Sequence, residues 1–405
     1  MGKSTIYLDN AATTWPKPEE VYRAVDVVLR EYGANPGRGS YRMSVEAQRL
    51  TDEARQEVCR LFKAPAPEQV IFTLNCTDAL SMVLKGLIKS GDRVVTGPFE
   101  HNSVTRPLHS LCRRGVQHAV AKSNATFGVD LDHFRELCGD RVDYVVVSHA
   151  SNVTGCVLPI KEMAHIAHER GGLLILDAAQ SAGDLDIDMH DLGVDVLAAP
   201  GHKGLYGPMG TGVLVLSAPL QVQAFREGGT GFRSESPEQP TEYPWRLEAG
   251  TVNLPGIAGL AAGIRFVGSV VANATAPAAL AQVLADELRQ IDGVRVFCDS
   301  TLRTGIVSFR LGATDVALTG MILDESFGIA VRTGLHCAPA AHQAIGTLPE
   351  GTVRASFGRF NTCSDVDALL AAVREITTIS VARTGSPSAG ADRRRPTGVD
   401  ASRRP

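Results

Sequence analysis

Short apolar runs alternate with amphipathic stretches through the first two thirds of the chain. Five runs rich in β-branched residues predict strands, at 69–73, 92–97, 143–149, 172–177 and 195–199. Helical spacing of apolar positions marks three stretches between them, at 78–90, 103–115 and 160–172. Strands that are apolar throughout and separated by helices are typical of a parallel sheet covered on both faces. We therefore predict an α/β domain that binds its ligand beyond the carboxyl ends of the strands.

The pattern changes after about Asn253. An Ala-rich helical region at 256–290 is followed by short strands and two further helical patterns, which together predict a smaller α+β unit. We expect a large domain at 15–255 and a small domain formed by 1–14 and 256–382. The tail at 383–405 is rich in Pro, Gly, Ser and Arg without apolar periodicity, and this composition predicts disorder.

Composition narrows the partners and the compartment. The chain has 405 residues, 44% of them hydrophobic, and a net charge of -4, which gives no reason to expect nucleic acid or an acidic membrane as partner. Eight cysteines are scattered without a CxxC pair or Cys/His clustering, so we expect neither a disulfide scaffold nor a metal site, and a reducing cytoplasm fits best. No secretory leader is apparent, and the longest uncharged run, 266–285, is too polar to predict a membrane span.

Polar residues that could take part in catalysis or cofactor binding follow the predicted strands. Lys203 comes after the run at 195–199, beside His202 and among glycines, and is either a nucleophilic amine or a lysine on a surface loop. Asp177 closes the run at 172–177 with no cation in the same run. It would either pair with the pyridinium nitrogen of pyridoxal phosphate or cap a helix.

Three further strand ends carry candidate ligand contacts. Asn75, Cys76, Thr77 and Asp78 open a helix, where free N–H groups favour a phosphate, although plain N-capping explains the same residues. His101 and Asn152 each follow another strand. A single residue of this kind is more often structural, but five after successive strands indicate a shared site.

Eight motifs, taken in order, carry a resemblance to a known family. They are YLDNAATTWPKP, EHNS, SHASNVTG, LDAAQSAG, GHKGLYGPMGTG, EAGTVN, RTGLHC and VRASFGRFN. Over residues 5 to 380 the chain closely resembles the class V aminotransferases, and within them the cysteine desulfurase branch. The resemblance implies a fold type I transferase that depends on pyridoxal 5'-phosphate (PLP). It also implies a homodimer with active sites near the subunit interface.

The resemblance assigns roles by position. Lys203 corresponds to the lysine that forms the Schiff base, Asp177 to the partner of the pyridine nitrogen, His101 to the residue stacked on the ring and Gln180 to the donor to its O3′. The phosphate cup corresponds to Cys76, Thr77 and His202, together with Thr251 from the partner subunit. The substrate contacts correspond to Asn152 and to Arg354, whose guanidinium suits a carboxylate.

Cys337, in RTGLHC, has four interpretations: buried filler, half of a disulfide, metal ligand or nucleophile. The scattered cysteines weaken the second and third. In the family that the chain resembles, this cysteine attacks the sulfur of substrate L-cysteine, leaving a persulfide and alanine. A thiolate is required, and we expect Arg332 and His336 to provide cationic surroundings. An inert buried cysteine remains the alternative.

Departures from the family pattern keep other functions open. Pro200 replaces a hydroxyl residue, Gly204 is an additional residue after Lys203, and Cys76 stands where Thr or another small residue is common. The main hypothesis is a cysteine desulfurase that passes sulfur to an acceptor protein for iron–sulfur cluster or thio-cofactor synthesis. The alternatives are a selenocysteine lyase, another class V C–S lyase or aminotransferase, and a non-catalytic PLP-binding scaffold, against which the intact site residues argue.

Overall fold

The computed structural model describes residues 5–124, 128–269, 276–297, 304–312 and 314–384. Its helices are α1 (Glu19–Glu31), α2 (Arg42–Phe62), α3 (Cys76–Leu87), α4 (Asn102–Cys112), α5 (Leu131–Cys138), α6 (Ile160–Glu169), α7 (Met189–Leu192), α8 (Leu254–Ser269), α9 (Pro277–Arg289), α10 (Val316–Phe327), α11 (Pro339–Ala344) and α12 (Cys363–Thr384). Its strands are β1 (Ile6–Tyr7), β2 (Val70–Thr73), β3 (Arg93–Thr96), β4 (Gln117–Val120), β5 (Tyr144–Ser148), β6 (Leu173–Asp177), β7 (Val196–Pro200), β8 (Gly212–Leu216), β9 (Val294–Val296), β10 (Ile306–Leu311), β11 (Ile329–Ala330), β12 (Arg332–Gly334) and β13 (Thr352–Ser356).

A seven-stranded sheet organises the large domain, in the order β2-β8-β7-β6-β5-β3-β4. The strands from β7 to β4 are parallel, whereas β8 runs antiparallel to both of its neighbours. The predicted α/β fold with a mostly parallel sheet is therefore confirmed. The sequence prediction did not include β4 or β8.

Both faces of the large sheet are buried. In β6, Leu174 and Leu176 belong to one hydrophobic cluster, while Ile175 between them belongs to the cluster on the opposite face. Because successive side chains of a strand point to opposite faces, a strand covered on both sides must be apolar at every position. The helices that follow the strands supply this cover, which explains the continuous apolar runs of the sequence.

A second core surrounds a four-stranded antiparallel sheet, ordered β12-β13-β10-β9. The N-terminal strand β1 pairs in parallel with β11, and the residue after it, Leu8, belongs to this core. Residues 6–8 therefore pack with the second core. Residues 383 and 384 end α12, and the rest of the predicted disordered tail, 385–405, lies outside the described residues.

Helix α8 lies on the large domain rather than on the second core. It contacts α1 and α2, and its buried residues Ile257, Leu260 and Ile264 join the core of the large sheet. These residues therefore pack with the large sheet, although the sequence pattern groups them with the small domain. The Ala-rich composition of α8 had suggested continuity with the helices that follow, but a helix this apolar must be buried, and α1 and α2 provide its cover. Within the described residues, no helix is sufficiently long and apolar to span a membrane.

Candidate active site

A cavity of about 520 Å³ opens beyond the carboxyl ends of the parallel strands. Ser148, Asp177 and Pro200, the last residues of β5, β6 and β7, line its floor. The remaining lining residues are Ala11, Ala12, Asn75, Cys76, Thr77, His101, Ser103, Ala150, Asn152, Ala179, Gln180, His202, Lys203, Arg332, His336 and Arg354. The cavity therefore brings together side chains that are widely separated in the sequence.

The loop that carries Lys203 is fixed by the N-terminal segment. The carbonyl of His202 accepts hydrogen bonds from the backbone N–H of Thr14 at 3.1 Å and from the Lys17 ammonium at 2.8 Å. The Thr14 hydroxyl also donates to the carbonyl of Lys203 at 3.0 Å. Because both carbonyls are held, the Lys203 backbone has little freedom. The TTWPK motif therefore has a structural role, which is to fix the loop that carries Lys203.

Burial lowers the pKa of the Lys203 amine, and the guanidinium groups of Arg354 and Arg332 lower it further, against the opposing effect of Asp177. A lowered pKa increases the neutral fraction of the amine, and only the neutral amine is a nucleophile. Lys203 therefore has the surroundings that an imine-forming lysine needs.

Asp177 is 3% exposed and lies at the floor of the cavity. Its Oδ1 accepts hydrogen bonds from the backbone N–H of Ala179 at 2.9 Å and from the Cys76 thiol at 3.4 Å. Burial raises the pKa of Cys76 well above its ordinary value, and the Asp177 carboxylate adds to this effect. Cys76 therefore stays protonated and donates to Asp177.

The N-terminus of α3 forms one wall of the cavity. The Asn75 side chain caps the helix by accepting from the backbone N–H of Asp78 at 2.9 Å. The capping interpretation of Asn75 is thus confirmed, while Cys76 and Thr77, in the first helical turn, line the cavity. First-turn N–H groups have no partner inside the helix, so this wall favours an anion.

His101 caps α4 and faces the same cavity. Its Nδ1 accepts from the backbone N–H of Ser103 at 3.1 Å, which places the proton of the neutral ring on Nε2. Burial lowers the pKa of His101, so the imidazole is neutral at physiological pH.

The substrate-side candidates Arg354 and Asn152 contact each other. Arg354, 1% exposed, donates from Nη1 to the Asn152 carbonyl at 3.1 Å and from Nη2 to Asp9 Oδ1 at 2.8 Å. Asn152 in turn donates from its side chain to the His336 carbonyl at 2.8 Å. Gln180 lines the cavity nearby and donates to the Ala11 carbonyl at 3.0 Å.

Cys337 is exposed and lies beside a cavity-lining arginine, with Arg332 Nη2 at 3.5 Å from its Sγ. It does not itself line the cavity. Burial lowers the pKa of His336 to about 2, with smaller contributions from nearby Arg354 and His342. The expectation that His336 supplies positive charge is therefore not met, because its imidazole is neutral, and the cation next to Cys337 is Arg332.

Thr251 is the candidate that the single chain does not bring to the cavity. It is exposed, accepts a hydrogen bond from Asn35 at 3.3 Å, and lines a separate depression of about 90 Å³ together with Leu74. The other residues of the predicted site line the main cavity, with two exceptions: Cys337, which lies beside Arg332, and Asp78, whose carboxylate accepts from the Leu74 N–H at 3.0 Å.

Comparison with known proteins identifies the family. The sequence model of the class V aminotransferase family matches residues 6–369. The chain belongs to the class V aminotransferase family. A probable cysteine desulfurase from Methanothermobacter thermautotrophicus is 36% identical over 379 residues, which cover 92% of this chain and 94% of the relative.

Solved structures agree with this family membership. The apo structure of a cysteine desulfurase from Thermococcus onnurineus is 32% identical, with a TM-score of 0.86 over 92% of this chain and 95% of the other. A cysteine desulfurase from Escherichia coli is 29% identical, with a TM-score of 0.83 over 94% of this chain and 96% of the other.

The cavity of this class V aminotransferase suits a polar, anionic cofactor. Three lining residues have a buried ring or guanidinium nitrogen without a partner in the described part of the chain: His202 Nδ1, His336 Nδ1 and Arg354 Nε. An unpaired buried polar group is costly, so a polar ligand is expected to satisfy at least some of them. Of the described residues, no set of three His, Cys, Asp or Glu side chains is arranged to hold a metal ion.

Some functional neighbours were not apparent from the sequence. Asp9, Ser103 and Ser148 stand within the motifs quoted above. Neither their residue types nor their spacing shows that Asp9 contacts Arg354 or that the two serines line the cavity. Gly204, which looked like an irregular insertion, has a packing reason: a Cβ at this position would lie 2.4 Å from the carbonyl oxygen of Ala182. Only glycine fits this close approach beside Lys203.

Proposed function

We propose that this protein is a PLP-dependent cysteine desulfurase, which converts L-cysteine into L-alanine and leaves a persulfide on Cys337. The observation that carries the proposal is that Arg332 contacts Cys337 and lines the same cavity as Lys203. Lys203 lines a cavity whose wall includes Arg332, and Arg332 Nη2 lies 3.5 Å from the thiol of Cys337.

Cofactor binding would use the residues that surround Lys203. The Lys203 amine would carry the cofactor aldehyde, Asp177 would pair with the ring nitrogen, and His101 would lie against the ring. Gln180 would donate to the ring oxygen. The phosphate would occupy the wall formed by the start of α3, with Cys76, Thr77 and His202, because helix N–H groups and the helix dipole favour a dianion.

When bound, PLP withdraws electrons from the substrate Cα and thereby weakens the Cβ–S bond. Arg354 and Asn152 would hold the substrate carboxylate, so that the sulfur is directed toward Cys337. Cys337, whose Sγ lies 3.5 Å from Arg332 Nη2, would attack the substrate sulfur as a thiolate. An S–S bond forms as the Cβ–S bond breaks, and the remaining carbon skeleton takes up a proton to leave as alanine. Lys203 would be the base that moves protons at Cα.

The test is an assay of alanine and sulfide from L-cysteine with a reductant present. We expect Cys337→Ala to retain the cofactor absorbance while losing sulfide production, and Lys203→Ala to lose that absorbance. Cys363→Ala is the matched control, because Cys363 is also an exposed, free cysteine. If Cys337→Ala releases sulfide at the wild-type rate, the nucleophile is a different group. A panel with L-selenocysteine separates the desulfurase from a selenocysteine lyase.

We also propose that the protein acts as a homodimer in which Thr251 reaches the cofactor phosphate of the partner subunit. Thr251 lies away from the cavity of its own chain. Leu74, which lines the same depression as Thr251, is 52% exposed, and Met209, next in the chain to the lining residue Gly210, is 68% exposed. Exposed apolar clusters mark interfaces. Light scattering of wild type and of Leu74→Asp tests this: the variant should shift toward monomer and lose cofactor affinity.

A second protein is proposed to receive the sulfur. Cys337 is exposed, so its persulfide would be accessible to a thiol of another protein. Incubation of the persulfide form with candidate acceptors, followed by mass spectrometry, should show a gain of one sulfur atom on the acceptor. Six described cysteines have free thiols, namely Cys59, Cys76, Cys112, Cys138, Cys337 and Cys363, which supports our proposal that the protein works in the reducing cytoplasm. Cell fractionation tests this location.

A further inference from the structure

We propose that Asp9 is a positioning residue that orients Arg354 for recognition of the substrate α-carboxylate. The proposal deepens the function above and rests on it in one respect, namely that Arg354 is the carboxylate-binding residue. Asp9 lies in the N-terminal segment, 345 residues away from Arg354 in the chain.

Not every nitrogen of the Arg354 guanidinium has a hydrogen-bond acceptor. Nη2 donates to Asp9 Oδ1 at 2.8 Å and Nη1 donates to the Asn152 carbonyl at 3.1 Å. Nε is buried and has no acceptor among the described residues. The guanidinium is therefore held at its two terminal nitrogens, while the N–H of Nε still needs a partner. A carboxylate that enters the cavity beside Arg354 would supply the missing acceptor.

Asp9 is itself fixed against the strand that carries Arg354. It forms a parallel bridge with Ser356 of β13, two residues after Arg354. The next two residues continue this attachment: Asn10 N–H donates to the Ser356 carbonyl at 3.3 Å, and Ala11 N–H donates to the Ser356 hydroxyl at 2.9 Å. Because these backbone contacts fix the position of Asp9, its carboxylate has a fixed position relative to the Arg354 guanidinium.

The Asp9–Arg354 pair is asymmetric in its exposure. The Arg354 side chain is 1% exposed and the Asp9 side chain 22%. A buried cation needs a paired anion, because the desolvation cost of an unpaired guanidinium is large. Burial lowers the pKa of Arg354, and the Asp9 carboxylate counteracts this effect. Without Asp9, the guanidinium would turn toward another acceptor and leave the orientation that the substrate requires.

Two substitutions separate orientation from charge. Asp9→Ala removes the acceptor, whereas Asp9→Asn removes the charge but keeps an oxygen at the same position. Arg354→Ala defines the full effect of losing carboxylate recognition. We would measure KM and kcat for L-cysteine, the dissociation constant of L-alanine from the change in cofactor absorbance, and the binding of cysteamine, which lacks the carboxylate.

We expect Asp9→Ala to raise the KM for L-cysteine and the dissociation constant of L-alanine about tenfold or more, the size typical of a lost charge-assisted hydrogen bond. Asp9→Asn should change both about threefold or less, cysteamine binding should be unchanged in each, and kcat should fall much less than KM rises. The proposal is overturned if Asp9→Ala binds L-alanine like wild type while Arg354→Ala does not. It is equally overturned if both Asp9 variants lose the cofactor, because that result shows a general structural role.

Failure of the proposed function gives a different result. If wild type releases no sulfide from L-cysteine, the desulfurase proposal fails, but L-alanine binding still reports whether Asp9 supports carboxylate recognition. If Arg354→Ala binds L-alanine normally, the carboxylate assignment of Arg354 is wrong and the role of Asp9 falls with it.

Discussion

The side-chain amide of Asn152 donates a 2.8 Å hydrogen bond to the backbone carbonyl of His336, the residue before Cys337. Asn152 belongs to the large domain, and the Cys337 loop follows strand β12 of the second sheet. A second hydrogen bond joins the loop to the large domain: the backbone N–H of Asn102 donates to the Cys337 carbonyl at 2.9 Å. Both loop residues have positive φ angles, +50° and +58°, a conformation that non-glycine residues seldom adopt. The large domain therefore holds the loop in a strained shape.

This relationship predicts that Asn152→Ala loosens the Cys337 loop. The variant leaves a buried carbonyl without its donor, and we expect a loss of stability of about 1–3 kcal/mol. Persulfide formation should fall more than cofactor binding, because the Lys203 loop is held by other contacts. Thermal unfolding and mass spectrometry of the persulfide measure the two effects. Asn102→Ala is the matched control, since its backbone bond survives; equal losses in both variants would contradict the role of the Asn152 side chain.

The two cysteines of the site should react differently with alkylating agents. Cys337 is exposed and lies beside the Arg332 guanidinium, whereas Cys76 is buried and its pKa is raised. Since the thiolate is the nucleophile, iodoacetamide at pH 8 should label Cys337 first and leave Cys76 unmodified in the folded protein. Peptide mass spectrometry over a time course checks this order. Labelling of Cys76 at a comparable rate would show that its thiol is not held protonated against Asp177.

Much of the large domain could be predicted because a strand buried on both faces is apolar at each position. The runs that became β2, β3, β5, β6 and β7 have this property, and the residues after them proved to surround one cavity. The edge strand β4, QHAV, is half-exposed and polar in part, so its sequence carries no such signal. The antiparallel β8 follows a short glycine-rich loop, where the helix expected between parallel strands is missing.

The site could be predicted less completely than the fold, because some of its chemistry depends on burial. A histidine beside a cysteine suggests a cation, yet His336 is 2% exposed and burial keeps it neutral. Likewise, the contact between Asp9 and Arg354 depends on how the N-terminal segment lies along β13, which no local pattern reveals. Lys203 and Asp177 could be found because Asp177 ends one strand of the parallel sheet and Lys203 lies in the loop just after the next strand.

Gly183 should tolerate no side chain, because it packs on the loop that carries Lys203. A Cβ there would lie 2.2 Å from the carbonyl oxygen of Gly204, and its φ is +88°. Gly171 is a matched control: its φ is +76°, and a Cβ would meet no described atom within 4 Å. Gly171→Ala should cost about 1–2 kcal/mol from the backbone alone. We expect Gly183→Ala to cost more and to weaken cofactor retention, as measured by unfolding and by cofactor absorbance after dialysis. Equal costs would mean that the Gly204 loop moves freely.

A buried carboxyl next to His101 should make the stability of the protein pH-dependent. Glu100 is 1% exposed, its Oε1 accepts from the Ser148 N–H at 3.1 Å, and its Oε2 lies 2.8 Å from the Ser148 hydroxyl. Burial raises the pKa of Glu100 from 4.5 to about 8. Between these values the folded protein retains a proton that the unfolded chain has released. Its contribution to stability is therefore complete below pH 4.5 and is lost as the pH rises through about 8.

Glu100→Gln removes this titration while keeping the shape of the side chain. We expect the free energy of unfolding of the variant, minus that of wild type, to increase between pH 5 and pH 8. Because one group titrates, the slope is at most about 1.4 kcal/mol per pH unit. Chemical denaturation at several pH values measures this difference. Glu136→Gln, at an exposed position of α5, should show no such trend. A pH-independent difference for Glu100→Gln would mean that its carboxyl is already ionised in the folded protein, paired with a charge that compensates its burial.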